Sequence, residues 1–456
     1  MFMKLYRINE LEKKYEDLAS SKSEVCLTGW VRTNRDSGKI GFILMNDGST
    51  VEGIQVVYKK ESTQNFEECA KARTGSAIQV KGTINFNEKM NAYELVATSF
   101  ELLKQADEDY PLQKKQHSME FLREIAHLRP RTKTMQAVMT VRNRLAYAIH
   151  NFFQKNDFMW VATPLITSND CEGAGESFFI YEDKEKPFFQ PQGTLTVSGQ
   201  LNAEAYAQAF GRVYTFGPTF RADRSHTNRH LAEFWMIEPE IAFCTLPELM
   251  GFIELFIKSI VKDVLENCKE AIDFFAKEHP ELKERLHNLV TKDFLRIEYR
   301  KAIEVLKEAV AEGHKFEDSD IFFGKDLASE HERYLCEQVY KSPVFLYNYP
   351  KVIKAFYMKQ NEDNETVAAC DLLVPGVGEI VGGSQREDSY DKIMTRVKEM
   401  NMDPKSIKWY VDLRKYGYHS SAGFGLGFER LIMYILGLDN VRDAIPFPRY
   451  EGKLSF

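Results

Sequence analysis

The sequence lacks most of what would place it in a membrane or in a cross-linked secreted scaffold. No apolar run reaches the roughly 18 residues that a membrane-spanning helix needs. The opening stretch, MFMKLYRINELEKKYEDL, reads as a charged amphipathic helix rather than a signal peptide. The cysteines number seven, an odd count with no C-x-x-C pair, which argues against a disulfide framework and against a cysteine-rich zinc site. These absences set the expectation of a reducing, cytoplasmic compartment. There is no internal repeat or low-complexity tract, and no surplus of positive charge, the formal net charge being -7. That last absence excludes little, because net charge is a global sum and RNA binding needs only a local basic face. Such a face lies between residues 113 and 133, in Lys114, Lys115, His117, Arg123, His127, Arg129, Arg131 and Lys133. A solvated linker surface accounts for it equally well.

What is present suits a large enzyme. A chain of 456 residues with 44% apolar content is ample for packed cores in about three domains or fewer. Up to residue 103, after an N-terminal helix, the runs VCLTGWVRTNR, KIGFILMNDGS, VEGIQVVYK, SAIQVKGTI and AYELVATSFELL alternate with turn signals. Five short strands at this spacing predict a small closed barrel, and the OB-fold is the five-stranded barrel that presents a strand face to oligonucleotides. Phe42 falls mid-strand and Gln55 on the next strand. An aromatic ring there can stack on a base and an amide can bond a base edge, although Phe42 alone also suits the core. Residues 104–134 read as a hinge, with Pro111 and Pro130 breaking helices at either end. From 135 to 456 a larger domain begins with Val138, Val141, Leu145, Ala148, Ile149 and Phe152 at helical spacing, then the strand FMWVATPLI. Residues 246–340 or so read as a helical, charge-rich insertion or flank.

The stretches richest in chemistry are 220–243, FRADRSHTNRHLAEFWMIEPEIAF, and 423–431, GFGLGFERL. In the first, two β-like runs surround a tip crowded with Arg221, Arg224, His226, Arg229 and His230. So many donors suit polyanionic phosphate, which planar arginine forks match in geometry. In the second, a glycine-rich strand runs into an amphipathic helix near Phe428, with Arg430 in its first turn. Cations on two separate elements can close on one triphosphate from both sides. At these residues the chain resembles the class II aminoacyl-tRNA synthetases, whose second and third signature motifs read FRxE-loop-RHxxEF and GxGxxER. A dozen matches in spacing and order carry far more information than a lone glycine loop. The phrases GWVR, FILMNDGS and GIQ are similar to the anticodon-binding barrel of the aspartyl, asparaginyl and lysyl subgroup. The phrase YPLQKKQHSMEFLREIAHLRPRT is similar to the hinge of bacterial-type asparaginyl enzymes.

The resemblance implies an α+β chain of class IIb: an N-terminal five-stranded OB-fold β-barrel, then a catalytic domain of antiparallel sheet flanked by helices. It also implies a homodimer joined through the helix from Met135 and the strand after it, a helix whose spacing alone fits a plain core helix as well. The implied activity joins L-asparagine to tRNA(Asn) using ATP and Mg2+, with neither DNA nor a membrane as partner. The substrate α-carboxylate, ionised at neutral pH, would attack the α-phosphorus, so the protein needs charge stabilisation rather than a base. The resemblance makes Arg221 and Arg430 catalytic, with Arg221 bridging carboxylate and α-phosphate and Arg430 at the γ-phosphate end. Asp223, Arg229, His230, Leu231, Glu379, Gly425 and Gly427 would complete the ATP site, and Arg32, Phe42 and Gln55 would read the anticodon. Asp371 and Glu379, in CDLLVPGVGEIVGGSQRE, resemble the family's acidic metal pair; taken alone they also suit a surface loop. Asp223 stands where the family usually has Glu and Arg224 where Asn is usual, which puts the details of adenine reading in question.

The amino-acid pocket is where the subgroup divides. Related aspartyl enzymes carry a lysine three residues after the second Gln of Q-S-P-Q, to neutralise the substrate's side-chain carboxylate. Here VSGQLNAEAYA keeps Ser198, Gly199 and Gln200 but has Ala203 at the lysine position. A neutral amide offers both an acceptor and a donor, so Arg386 would meet its carbonyl and Glu238 its nitrogen. Glu172, in CEGAGES, best matches a ligand of the α-ammonium, helped by Gln200. Three alternatives stand beside this reading. An aspartyl enzyme is opposed by Ala203, and an inactive RNA-binding paralogue by the retained Arg221, Glu379 and Arg430. An ATP-dependent amide-forming enzyme would leave the barrel and basic hinge with nothing to bind.

Overall fold

The computed structural model describes residues 5–168, 177–183, 186–224 and 227–456, so Glu172 and His226 lie outside the described residues. The chain divides into two compact units, Met1–Met139 and Thr140–Phe456.

The first unit is a closed barrel of β1 (Glu24–Asp36), β2 (Ile40–Asn46), β3 (Ile54–Lys59), β4 (Ala77–Asn87) and β5 (Ala92–Lys104). The order β1-β2-β3-β5-β4 closes because β1 also pairs with β4, which removes both sheet edges. Strand alternation dictates the inside: Leu27, Ile43, Met45, Val56, Ile78, Val80 and Leu95 are fully buried, while Phe42 points outward. Gly41 has to be glycine because a Cβ there would land in the Tyr58 ring. The expected single N-terminal helix is two short ones, Ile8–Glu12 and Tyr15–Ser21, whose Ile8, Leu11 and Leu18 join the barrel core.

Helix α1 (Lys133–Lys155) leads from the first unit into the second. It starts slightly before Met135 because Thr132 caps it: the Thr132 hydroxyl accepts from Met135 N–H at 3.2 Å. The second unit is built on β6 (Met159–Trp160), β7 (Arg212–Phe220), β8 (Glu233–Ala242), β9 (Leu295–Glu298), β10 (Val344–Pro350), β11 (Thr366–Val374), β12 (Gly378–Gln385) and β13 (Ser421–Gly427). The eight-stranded sheet runs β9-β10-β11-β12-β13-β8-β7-β6. Its inner pairings are antiparallel, as expected, but both edge pairings, β9 with β10 and β7 with β6, are parallel.

Of the two readings of 246–340, insertion or flank, the packing favours the flank. After helix α2 (Gln200–Phe210), helix α3 (Leu246–Asn267) buries Leu249, Met250, Ile253, Phe256, Ile257, Ile260 and Val264. A stripe that apolar makes α3 a core layer rather than an appendage. Thr245 and Glu248 start it with a reciprocal capping box. Strand β9 then interrupts the helical region and adds an edge to the sheet.

Candidate active site

The site begins with a hairpin. Strands β7 and β8 pair in register from Arg212↔Ile241 to Phe220↔Glu233, so residues 221–224 and 227–232 follow from the same end of the two strands. Strand β13 lies beside β8 and passes directly into helix α4 (Phe428–Leu436), with Gly427 at its N-cap and Arg430 in its first turn. At Gly425 a Cβ would sit 2.7 Å from the Met236 methyl. Glu429 faces inward, accepting from Arg142 at 2.7 Å and from Trp235 N–H at 2.9 Å, which ties α1, β8 and α4 together. In the GFER phrase, the Glu is the structural member and the Arg faces the cavity.

A cavity of about 590 Å3 opens over these elements. It gathers Ser198, Gln200, Arg221, Asp223, Arg229, His230, Leu231, Glu238, Asp371, Glu379, Arg386, Gly425, Gly427 and Arg430. At one end it is cationic. The Arg221 guanidinium stands 5.3 Å from the Phe234 ring centre, and Arg430 reaches the Glu379 carboxylate at 3.5 Å. Burial lowers the Arg229 pKa, opposed by Glu332 and reinforced by Arg430. His230 lies 3.3 Å from Asp223. Burial holds its pKa below the ordinary value despite Asp223, and Arg430, Arg221 and Arg229 push it the same way. Asp223, which the resemblance assigns to the ATP site, faces His230 here. Three of these groups face a carboxylate of the protein: Arg430 meets Glu379, Arg229 meets the field of Glu332, and His230 meets Asp223.

Two carboxylates converge beside them. Asp371 on β11 is paired in register with Gly382 on β12, and a Cβ at Gly382 would lie 3.1 Å from Glu379 Oε1 and 3.3 Å from Asp371 Oδ1. Lys354 donates to Asp371 at 2.7 Å. A third carboxylate escapes the sequence reading: Glu332 accepts from Glu379 N–H at 3.0 Å, and burial together with Glu379 pushes it up to about 8. Among the described residues no three histidines, cysteines or carboxylates surround a single metal point. A converging pair still fits magnesium, which takes one or two carboxylates plus substrate phosphates and keeps its waters.

The other end is small, polar and buried. The Ser198 hydroxyl donates to Glu238, Gly199 N–H donates to Glu238 at 3.0 Å, and Gln200 N–H donates to Ser198 Oγ at 3.1 Å. This fixes the start of α2, and it leaves Gln200 Nε2 buried with no protein partner. Arg386 is clamped: Nε donates to Glu240 at 3.1 Å, Nη2 donates to its other oxygen, and Nη1 donates to Ser384 at 2.7 Å. Burial pulls the Arg386 pKa down, and Glu240 more than reverses it. Burial pushes Glu240 up to about 7, against Arg386 and with Glu204 and Glu238 adding to it. The sequence reading misses Glu240, although it stands two residues from Glu238 and therefore on the same face of β8. Ala203 does not line this cavity: fully buried, it packs with Val161, Ala207 and Val213. Ala203 follows Gly199 by one turn of α2, and the charges that line the cavity itself at this end are Glu238 and Arg386.

In the barrel, Phe42 on β2 is 37% exposed on the outer face, so the alternative that it belongs to the core fails. Leu44 is paired with Gln55, which places Gln55 on the same face as Phe42. Gln55 Nε2 donates to Glu94 at 3.2 Å, a neighbour that no sequence signal singles out. Arg32 sits where the β1–β2 register slips, and burial lowers its pKa to about 10.

This architecture is that of an enzyme which activates a carboxylate with a nucleotide and presents a separate barrel to nucleic acid. Residues 118–451 match the family tRNA synthetases class II (D, K and N), and residues 25–103 match the OB-fold nucleic acid binding domain. The chain belongs to the class II tRNA synthetases of the D, K and N group. It is 54% identical to the asparagine–tRNA ligase of Malacoplasma penetrans, across 100% of both chains. It is also 54% identical to that of Mycoplasmoides gallisepticum, again across 100% of both. Among solved structures it is similar to asparaginyl-tRNA synthetase from Pyrococcus horikoshii complexed with asparaginyl-adenylate. There the TM-score is 0.86 and the identity 35%, over 95% of this chain and 96% of that one.

Proposed function

We propose that this chain is a cytoplasmic, homodimeric asparagine–tRNA ligase. It joins L-asparagine to ATP as asparaginyl-adenylate with release of diphosphate, then transfers the asparaginyl group to the 3′ end of tRNA(Asn) with release of AMP. The observation that carries this reading is one cavity lined both by Arg221, Arg229 and Arg430 and by the buried polar groups Ser198, Gln200, Glu238 and Arg386. The α-carboxylate attacks the α-phosphorus directly. Arg221 draws the two anions together and Arg430 takes charge at the outer phosphates, so neither a protein base nor a protein nucleophile is required for this step. Asp371 and Glu379 would hold Mg2+, which when bound neutralises phosphate charge. Glu238 accepts from the asparagine side-chain nitrogen, Arg386 donates to its carbonyl, and Gln200 finds a partner in the substrate. Glu172, outside the described residues, is assigned to the α-ammonium.

The dimer is supported by exposed aromatic side chains on α1 and just after it, Tyr147 at 57% and Trp160 at 51%, which a partner surface would cover. No helix among the described residues is long and apolar enough to cross a membrane.

The RNA half of the proposal is tested by Phe42→Ala. Loss of one stacked base, worth ~1–3 kcal/mol, weakens charging of tRNA(Asn) while asparagine activation without tRNA stays normal. Aminoacylation and pyrophosphate exchange, measured on the same preparation, separate the two. Unchanged aminoacylation would remove Phe42 from the anticodon site.

A further inference from the structure

Behind the amide end of the cavity lies a second set of buried charges that no part of the proposed reaction uses. Glu204, on α2 one turn after Gln200, is wholly buried. It accepts from Arg414 at 2.7 Å, from the Tyr410 hydroxyl at 2.8 Å and from the Tyr418 hydroxyl at 2.5 Å. Arg414 in turn donates to the Glu387 carbonyl at 2.9 Å.

Ser421 links this set to the amide wall. Its hydroxyl is hydrogen-bonded to the Tyr418 hydroxyl at 2.5 Å, and its carbonyl accepts from Arg386 N–H at 2.7 Å. The two sets also share a field: Glu204 acts on both Arg386 and Glu240. Glu240 pairs with Arg386 and Glu204 with Arg414, while Glu238, held by Ser198, acts on Glu240, so three carboxylates stand against two guanidiniums in this set.

We infer that Glu204 is a specificity-determining residue: its buried charge keeps the amide pocket net negative, so that the pocket admits a neutral side chain and repels a carboxylate. It touches no substrate and acts through Arg386 and Glu240. This rests on the asparagine reading of the site. In a low-dielectric interior a charge behind the wall is felt across it far more strongly than in water. Selectivity against aspartate then comes from unbalanced charge as well as from lost hydrogen bonds. Arg386 alone would attract aspartate, and the surplus carboxylate cancels that attraction.

The test is asparagine- and aspartate-dependent pyrophosphate exchange at pH 8, in wild type, Glu204→Gln and Tyr418→Phe. Glu204→Gln keeps the shape and removes the charge, and the ratio of kcat/KM for asparagine over aspartate is expected to fall at least tenfold. Tyr418→Phe removes the hydrogen bonds to Glu204 and Ser421 and no charge, and is expected to keep the wild-type ratio. An unchanged ratio in folded Glu204→Gln overturns the inference, as does an equal fall in Tyr418→Phe, which would point to geometry. A measurement on wild type covers the case in which Glu204→Gln does not fold. The cationic isostere 2,4-diaminobutyrate should inhibit asparagine-dependent exchange more strongly than aspartate does, and the reverse order overturns the surplus of negative charge. Absence of asparagine-dependent exchange in wild type would instead overturn the substrate reading itself.

Discussion

Arg221→Ala and Arg430→Ala are each expected to lower asparagine-dependent ATP–pyrophosphate exchange by at least ~10²-fold, the usual cost of removing one donor aimed at developing charge. Neither change should disturb the circular dichroism spectrum. The two residues reach the cavity from different elements, Arg221 from the loop after β7 and Arg430 from the first turn of α4. Each therefore acts on a different part of the triphosphate, and neither can replace the other. Arg430 meets Glu379 at 3.5 Å with its side chain 32% exposed, so its removal costs little stability. The check is exchange and circular dichroism on the same preparations. Near-normal exchange in either variant contradicts the assignment of that residue.

Arg386→Met should be damaging in a different way. Its guanidinium grips Glu240 through two nitrogens with both side chains buried, so removing it strands a carboxylate. Breaking such a pair costs ~3–5 kcal/mol, and the same change deletes the donor proposed for the asparagine carbonyl. Unfolding in urea should show a lowered midpoint, and exchange should be lost. The double variant Arg386→Met/Glu240→Gln removes the stranded charge, so it is expected to recover much of the stability and none of the activity. Recovery of both would make Arg386 purely structural. Activity retained in the single variant would remove it from the substrate pocket.

The parts of this molecule written as short-range pattern are legible in the sequence alone. Barrel strands alternate in polarity, and the outward position of Phe42 follows once Ile43 and Met45 are assigned to the inside. The loop between β7 and β8 and the turn into α4 are contiguous motifs, and Arg221, Arg229, His230 and Arg430 do meet in one cavity, which Arg224 does not line. What is not legible joins residues far apart in the chain. The Arg386–Glu240 pair spans 146 positions and the Arg414–Glu204 pair 210, and no local spacing encodes either. Glu332 is hidden for the same reason, since it meets Glu379 across 47 positions. The packing of Ala203 against Val161 and Val213 is a long-range contact of the same kind, which no motif records. Helix α3 sits in a charge-rich stretch that suggests an insertion, although its own apolar stripe marks a core layer.

The central claim is that this cavity activates asparagine and rejects aspartate. Aspartate would bring a second carboxylate against Glu238 and leave buried groups without partners, a mismatch that can reach ~10⁴-fold in kcat/KM. The most direct measurement is ATP–pyrophosphate exchange by the wild-type protein with asparagine and aspartate side by side, at matched concentrations and saturating ATP. Robust exchange with asparagine and exchange lower by orders of magnitude with aspartate is the predicted result; equal exchange with the two, or preference for aspartate, would contradict it.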